Sequence, residues 1–179
     1  MKKRISNLFI IAGVLFLLYS SYLWYLRYSP NKLSFTSYPS GNTSQVTVYA
    51  QPVHLNIPGI GISTAIVVSN IVNDVWEISN TSVSYLNPSP VPGQQGNSIL
   101  YGHNWTSILG NLPKTKPGET IQISFSDGTT KNFIVEYTRV VNPDEVEVIK
   151  QTEDIRITLY TCTGFLDSKR FVVVAKIAS

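Results

Sequence analysis

The sequence predicts a mainly β protein: about eight strands closing into a barrel, one or two short helices, and a membrane-spanning helix at the N-terminus. Three observations predict it. Ten tyrosines, ten prolines and eleven glycines occur among many Val, Ile and Thr residues, a composition suited to pleated strands joined by frequent turns. From residue 46 onward, β-branched apolar runs recur with turn signals between them and without an internal repeat, the pattern of a closed or nearly closed all-β domain. Ahead of these lies one uncharged apolar run, residues 8–26. At 179 residues the chain has room for one domain with appendages.

Residues 1–27 form the first division. Lys2, Lys3 and Arg4 precede LFIIAGVLFLLYSSYLWYL, which at about 1.5 Å per residue would cross the hydrocarbon core as a helix. Tyr19, Tyr22, Trp24 and Tyr25 gather where an interfacial aromatic belt would lie. The run is long for a cleaved signal peptide and no small-x-small site follows it, so an uncleaved signal anchor is expected. The basic start favours a cytoplasmic N-terminus, with the remainder outside the cell membrane, although Arg27 and Lys32 reduce the contrast. Residues 28–45, YSPNKLSFTSYPSGNTSQ, read as a polar linker.

Residues 46–179 form the expected β domain. VTVYA and HLNIPGIGISTAIVV give two or three short strands punctuated by Pro58, Gly59 and Gly61, and residues 73–78 give another. NPSPVPGQQG (87–96) is a loop, and residues 97–101 form a strand running into Gly102-His103-Asn104. Residues 106–112 read as a short helix capped by Asn104 or Thr106. Strands follow over 119–125, 131–141 and 146–150, with Asp127-Gly128 as a hairpin turn between the first two. The last pair spans 157–175, ITLYTCTGFLDSKRFVVVA.

Charge and cysteine usage narrow the function. The net charge is +3, but Lys2, Lys3, Arg4, Arg27 and Lys32 all precede residue 46. The nine basic residues after it face all eleven acidic ones, a net of −2, and no polybasic run remains to hold nucleic acid. Cys162 is the single cysteine. It cannot form an internal disulfide, and outside the cytoplasm it becomes a candidate reactive thiol, with a small buried hydrophobe as the plainer reading.

Cys162 ends one strand and Arg170 begins the next. A thiol beside a fixed positive charge ionises more readily, and the thiolate is the nucleophile. His103 also lies at a strand end, whereas His54, between Val53 and Leu55, reads as structural. Neither histidine belongs to a metal-binding spacing. Together Cys162, His103 and Arg170 supply the parts of acyl transfer through a thioester: a nucleophile, a proton donor for the departing amine, and an oxyanion or substrate clamp. The fold must bring them together.

Thr158-Leu159-Tyr160-Thr161-Cys162 resembles the TLxTC signature of sortases, the membrane-anchored cysteine transpeptidases of Gram-positive bacteria. IPGIGISTAIVV resembles their early barrel strands, PGQQGNSILYGHN the strand and loop with the histidine, and SKRFVVVAK the last strand with its arginine. The resemblance covers residues 52–176 and keeps the order His, Cys, Arg. It implies a sortase-type eight-stranded barrel, of a class D- or E-like subclass. It further implies that Cys162 cuts a C-terminal sorting signal of secreted proteins and holds the new carboxyl end as a thioester. His103 would be acid and then base, Arg170 the substrate or oxyanion clamp, and Thr161 an aid to substrate or oxyanion binding. The acceptor would be an amine of a cell-wall peptide or a pilin lysine.

No cofactor is expected. The acidic stretch VNPDEVEVIKQTED would shape the substrate groove; Asp144, Glu145 and Glu147 permit a calcium ion, although a solvated acidic loop is the commoner explanation. Two other readings compete. An L,D-transpeptidase would carry Gly before the cysteine and Arg two residues after it, where this chain has Thr161 and Gly164. A non-catalytic anchored β domain would bury Cys162 away from His103.

Overall fold

The structure, a computed structural model, describes residues 2–28, 33–35, 50–73 and 75–178. The chain forms two compact units, Met1–Lys32 and Leu33–Ser179. The first holds helix α1 (Lys2–Tyr28). Phe9, Ile10, Ile11, Val14, Leu15, Phe16, Leu17 and Leu18 are each 50–72% exposed, so apolar groups cover α1 all round. Among the described residues no helix is long and apolar enough to cross a membrane. The expected helix is present, and its membrane-spanning role is not carried by the structure.

The second unit is the expected barrel. Its strands are β1 (Pro52–Ile57), β2 (Ile62–Ser69), β5 (Val83–Leu86), β6 (Gly96–Gly102), β7 (Thr120–Phe125), β8 (Thr130–Val141), β9 (Ile155–Thr163) and β10 (Lys169–Ile177), closed in the order β1-β2-β5-β6-β9-β10-β8-β7. β3 (Ile71–Val72) and β4 (Val75–Trp76) form a separate small hairpin. Most neighbours are antiparallel, but β2 with β5 and β6 with β9 are parallel. Closure leaves no long unpaired edge.

Strand alternation sorts the apolar residues into two cores. Leu55, Ile66, Leu100, Ile123, Phe133, Leu159 and Val173 belong to a cluster drawn from every quarter of the barrel, its interior. Ile99, Tyr101, Tyr160, Cys162, Val172 and Val174, on the opposite face of β6, β9 and β10, belong to a second cluster. Leu33, Phe35, Trp76, Val148 and Ile149 cover this outer face. Phe35 meets Tyr160 edge-on at 5.0 Å, and the Tyr160 hydroxyl donates to the Leu33 carbonyl at 2.8 Å. Leu33 and Phe35 thus belong to the barrel unit, although they lie in the stretch read as a spacer. Two apolar side chains in a Ser- and Pro-rich sequence carry no periodic signal.

Several local expectations change. Residues 146–150, read as a strand, form the 3₁₀ turn Val146–Ile149; Asn97 Nδ2 takes the carbonyls of Val148 and Lys150, so side-chain amide bonds replace a strand ladder there. Residues 106–112 make successive turns, not a helix, followed by the 3₁₀ turn Leu112–Lys114. Gly110 permits this close backbone approach: an added Cβ would lie 2.7 Å from the Trp105 carbonyl carbon and 2.8 Å from the Thr106 nitrogen. β5 is absent from the expected strands: its four residues are too short a run to stand out between turn signals, and all four are buried. The strand over 73–78 shrinks to β4, and residues 46–49 of the first expected strand lie outside the described residues. The Asp127-Gly128 turn is present, with Gly128 at φ +84° and Phe125 N–H donating to the Thr129 carbonyl at 2.9 Å.

Candidate active site

The site grows out of three strand ends. β9 and β10 pair antiparallel so that Cys162 stands directly opposite Arg170, where side chains on one face lie about 4.5–5.5 Å apart at Cβ. β6 runs parallel to β9 with Gly102 beside Thr161. His103, the next residue after β6, therefore emerges beside Cys162. Tyr101 and Cys162 share the outer cluster, and two-residue alternation directs His103 toward the same face. The three residues thus lie at the same end of three adjacent strands.

The surroundings fix each group. Cys162 is 5% exposed and Arg170 3%. Behind them the rings of Tyr101 and Tyr160 stack at 5.6 Å and 15°, and burial pushes both phenols above their ordinary range, keeping this floor neutral. Arg170 Nη1 donates to the carbonyls of Asp167 (3.2 Å) and Lys169 (3.0 Å), which tethers the guanidinium to the loop leaving Cys162. Trp105 stacks on His103 at 4.4 Å and 9°, orienting the imidazole. Burial lowers the proton affinity of His103 below the ordinary 6.5, while the Asp167 carboxylate acts in the opposite direction. The imidazole is neutral in most molecules near pH 7, and the imidazolium is the minor form.

Thr161 is fully buried and its hydroxyl donates to the Gly102 carbonyl at 2.8 Å. This bond ties the strand that leads to His103 to the strand that delivers Cys162. His54 lies on β1, where Nε2 meets Ser63 Oγ at 3.0 Å, a structural contact. Among the described residues no group of three or more His, Cys, Asp or Glu could hold a metal. Glu145 is taken by Arg139 and by the Asn142 amides, and Glu147 by Lys150 at 2.5 Å.

Sequence reasoning missed three residues at the site: Trp105, Asn104 and Asp167. Trp105 and Asn104 adjoin His103, and Asp167 lies between the nucleophile candidate and Arg170; proximity along the chain was the available signal. Asn104 Nδ2 donates to Asp167 Oδ1 at 2.9 Å, joining the histidine loop to the 163–169 loop.

Comparison with known proteins agrees with this geometry. A sortase-domain family model matches residues 55–178. Sortase A of Listeria monocytogenes is 33% identical over 87 residues, which cover 46% of this chain and 39% of that protein's own length. Among solved structures, sortase C1 from Streptococcus agalactiae superposes with a TM-score of 0.62 at 25% identity, covering 76% of this chain and 73% of that one. A Clostridium perfringens sortase D5 transpeptidase shares the fold at 20% identity and a TM-score of 0.62, covering 74% and 83%. With the family model spanning most of the chain, and the strand order, register and His-Cys-Arg arrangement on one barrel, the chain belongs to the sortase family.

Proposed function

We propose that this protein is a sortase-type cysteine transpeptidase that cleaves a C-terminal sorting signal of secreted proteins and joins the new carboxyl end to an amine of a cell-wall peptide or a pilin. The observation that carries the reading is the register: Cys162 opposite Arg170, and Gly102, the residue before His103, alongside Thr161, the residue before Cys162. The Cys162 thiolate adds to the scissile carbonyl, and Arg170 stabilises the oxyanion. The C–N bond breaks as His103 passes its proton to the departing amine, leaving a thioester on Cys162. An incoming amine then adds to the thioester and gives a proton to His103; the C–S bond breaks, restoring thiolate and imidazolium. Near-burial of Cys162 is what an inert display domain would use, but such a domain has no need of a cation fixed opposite the thiol.

The helix α1 would anchor the chain in the cell membrane as a single pass, N-terminus in the cytoplasm and barrel outside. The charge-free run, the uniformly exposed apolar side chains from Phe9 to Leu18 and the basic residues before them support this reading. Mixing the full chain in detergent micelles with LPxTG-like or LAxTG-like peptides and an amine acceptor tests the activity. Cleavage accompanied by ligation is expected, abolished in Cys162→Ala and lowered about 10²–10⁴-fold in His103→Ala. Cleavage that survives in Cys162→Ala would sink the mechanism.

A further inference from the structure

The loop between β9 and β10 carries more than a connection. Leu166 and Asp167 both adopt positive φ, +51° and +61°, a conformation that costs a residue like Leu and that Asp tolerates better. This backbone turns two different groups of Asp167 in two directions. Its carbonyl accepts from Arg170 Nη1 at 3.2 Å. Its carboxylate accepts from Asn104 Nδ2 at 2.9 Å, the residue directly after His103. The Trp105 ring, one residue further, stacks on His103. A single acidic residue thereby spans from the loop that holds the arginine to the loop that holds the histidine, across the end of the strand that delivers Cys162.

We infer that Asp167 is a positioning residue for the transpeptidation proposed above: it latches the histidine loop through Asn104 and supplies the negative charge that His103 feels as it takes up its proton. The titratable and charged groups set around His103 are Asp167 on this loop, Cys162 at the end of β9 and Arg170 at the start of β10. The Asp167 carboxylate favours the imidazolium and offsets part of the burial that disfavours it; the Cys162 thiolate, once formed, acts in the same direction and the Arg170 cation against it. Because the same residue also holds Arg170 by its carbonyl, the side chain can be altered while the arginine contact, made by backbone, stays. The inference rests on the sortase reading for its catalytic meaning, but its electrostatic part does not.

The test uses the full chain in detergent micelles and three variants. Asp167→Asn keeps the shape, the positive φ that Asn also tolerates and an acceptor oxygen for Asn104, and removes the charge. Asp167→Ala removes both, and Asn104→Ala removes the latch alone. The protein has two histidines, so the Cε1–H resonances of His103 and His54 can be titrated in one sample by NMR, with His54 on β1 as the internal reference. Asp167→Asn should move the His103 midpoint to lower pH and leave His54 in place, and Asp167→Ala should do the same. Asn104→Ala should leave the midpoint nearer the parent value yet lower kcat/KM, as Asp167→Ala does, by about tenfold to a hundredfold through misplaced geometry, with the loss in kcat rather than KM. An unmoved His103 midpoint in Asp167→Asn, with the thermal melt unchanged, would overturn the inference. The titration requires no turnover: if no peptide is ever cleaved, the sortase reading fails while the effect of Asp167 on His103 is still measured.

Discussion

A histidine that donates a proton has to be charged at the moment of reaction, and His103 sits where charge is disfavoured. Its half-buried ring, stacked on Trp105, binds a proton less well than a free histidine. The sign for stability follows from linkage: the unfolded chain takes up this proton first as the pH drops below the ordinary value of 6.5, so His103 adds stability above that pH that is lost on acidification toward its lower folded value. His103→Gln, which cannot titrate, should flatten the fall of Tm with pH in the window just below 6.5, read by thermal melts at closely spaced pH; an unaltered slope would show that other groups dominate there. Cys162, Arg170 and His103 were readable as chemistry from residue type and strand-end position. Asp167 was not, because a lone carboxylate in a polar loop looks solvated until Asn104 is seen to reach it.

At the scale of elements, β9 is the strand that matters, since it pairs with the histidine strand on one side and the arginine strand on the other. Its lower half is fixed by a buried polar cluster. Thr158 Oγ1 donates to Asn97 Oδ1 at 2.8 Å, and Asn97 Nδ2 holds the carbonyls of Val148 and Lys150 at 3.1 Å each. Removing the amide leaves those buried carbonyls to find new partners. Asn97→Ala is therefore expected to cost about 2–3 kcal/mol, measured by urea unfolding, and to loosen the 3₁₀ turn Val146–Ile149. A loss below about 0.5 kcal/mol would show that the turn is held by the apolar contacts of Val148 and Ile149 instead. This cluster also explains the misread strand at 146–150: β-branched residues and a Lys end looked extended, and only a side chain fifty residues away reveals where their backbone hydrogen bonds go. The helix expected over 106–112 gives way to turns whose close backbone approach at Gly110, invisible to periodicity, only a glycine fits.

For the whole molecule, barrel closure converts sequence distance into proximity. The crossover connections that make β6 and β9 parallel neighbours put the strand ends that carry His103 and Cys162 side by side. The fold class was legible because turn signals and β-branched runs repeat along residues 50–178. The short β5, the β3–β4 hairpin and the docking of Leu33 and Phe35 were not, because each depends on contacts made outside its own segment. What closure achieves here, in our reading, is a waiting state: a thioester held beside a cation and a proton carrier until an amine arrives. The most direct test is intact-mass analysis of the full chain, in detergent micelles without an amine acceptor, after brief mixing with a sorting-signal peptide. A mass increase equal to the N-terminal peptide fragment less water, mapped to Cys162, released by hydroxylamine and missing from Cys162→Ala, is the result predicted. Cleaved peptide with no adduct on Cys162, or an adduct that persists in Cys162→Ala, would contradict it.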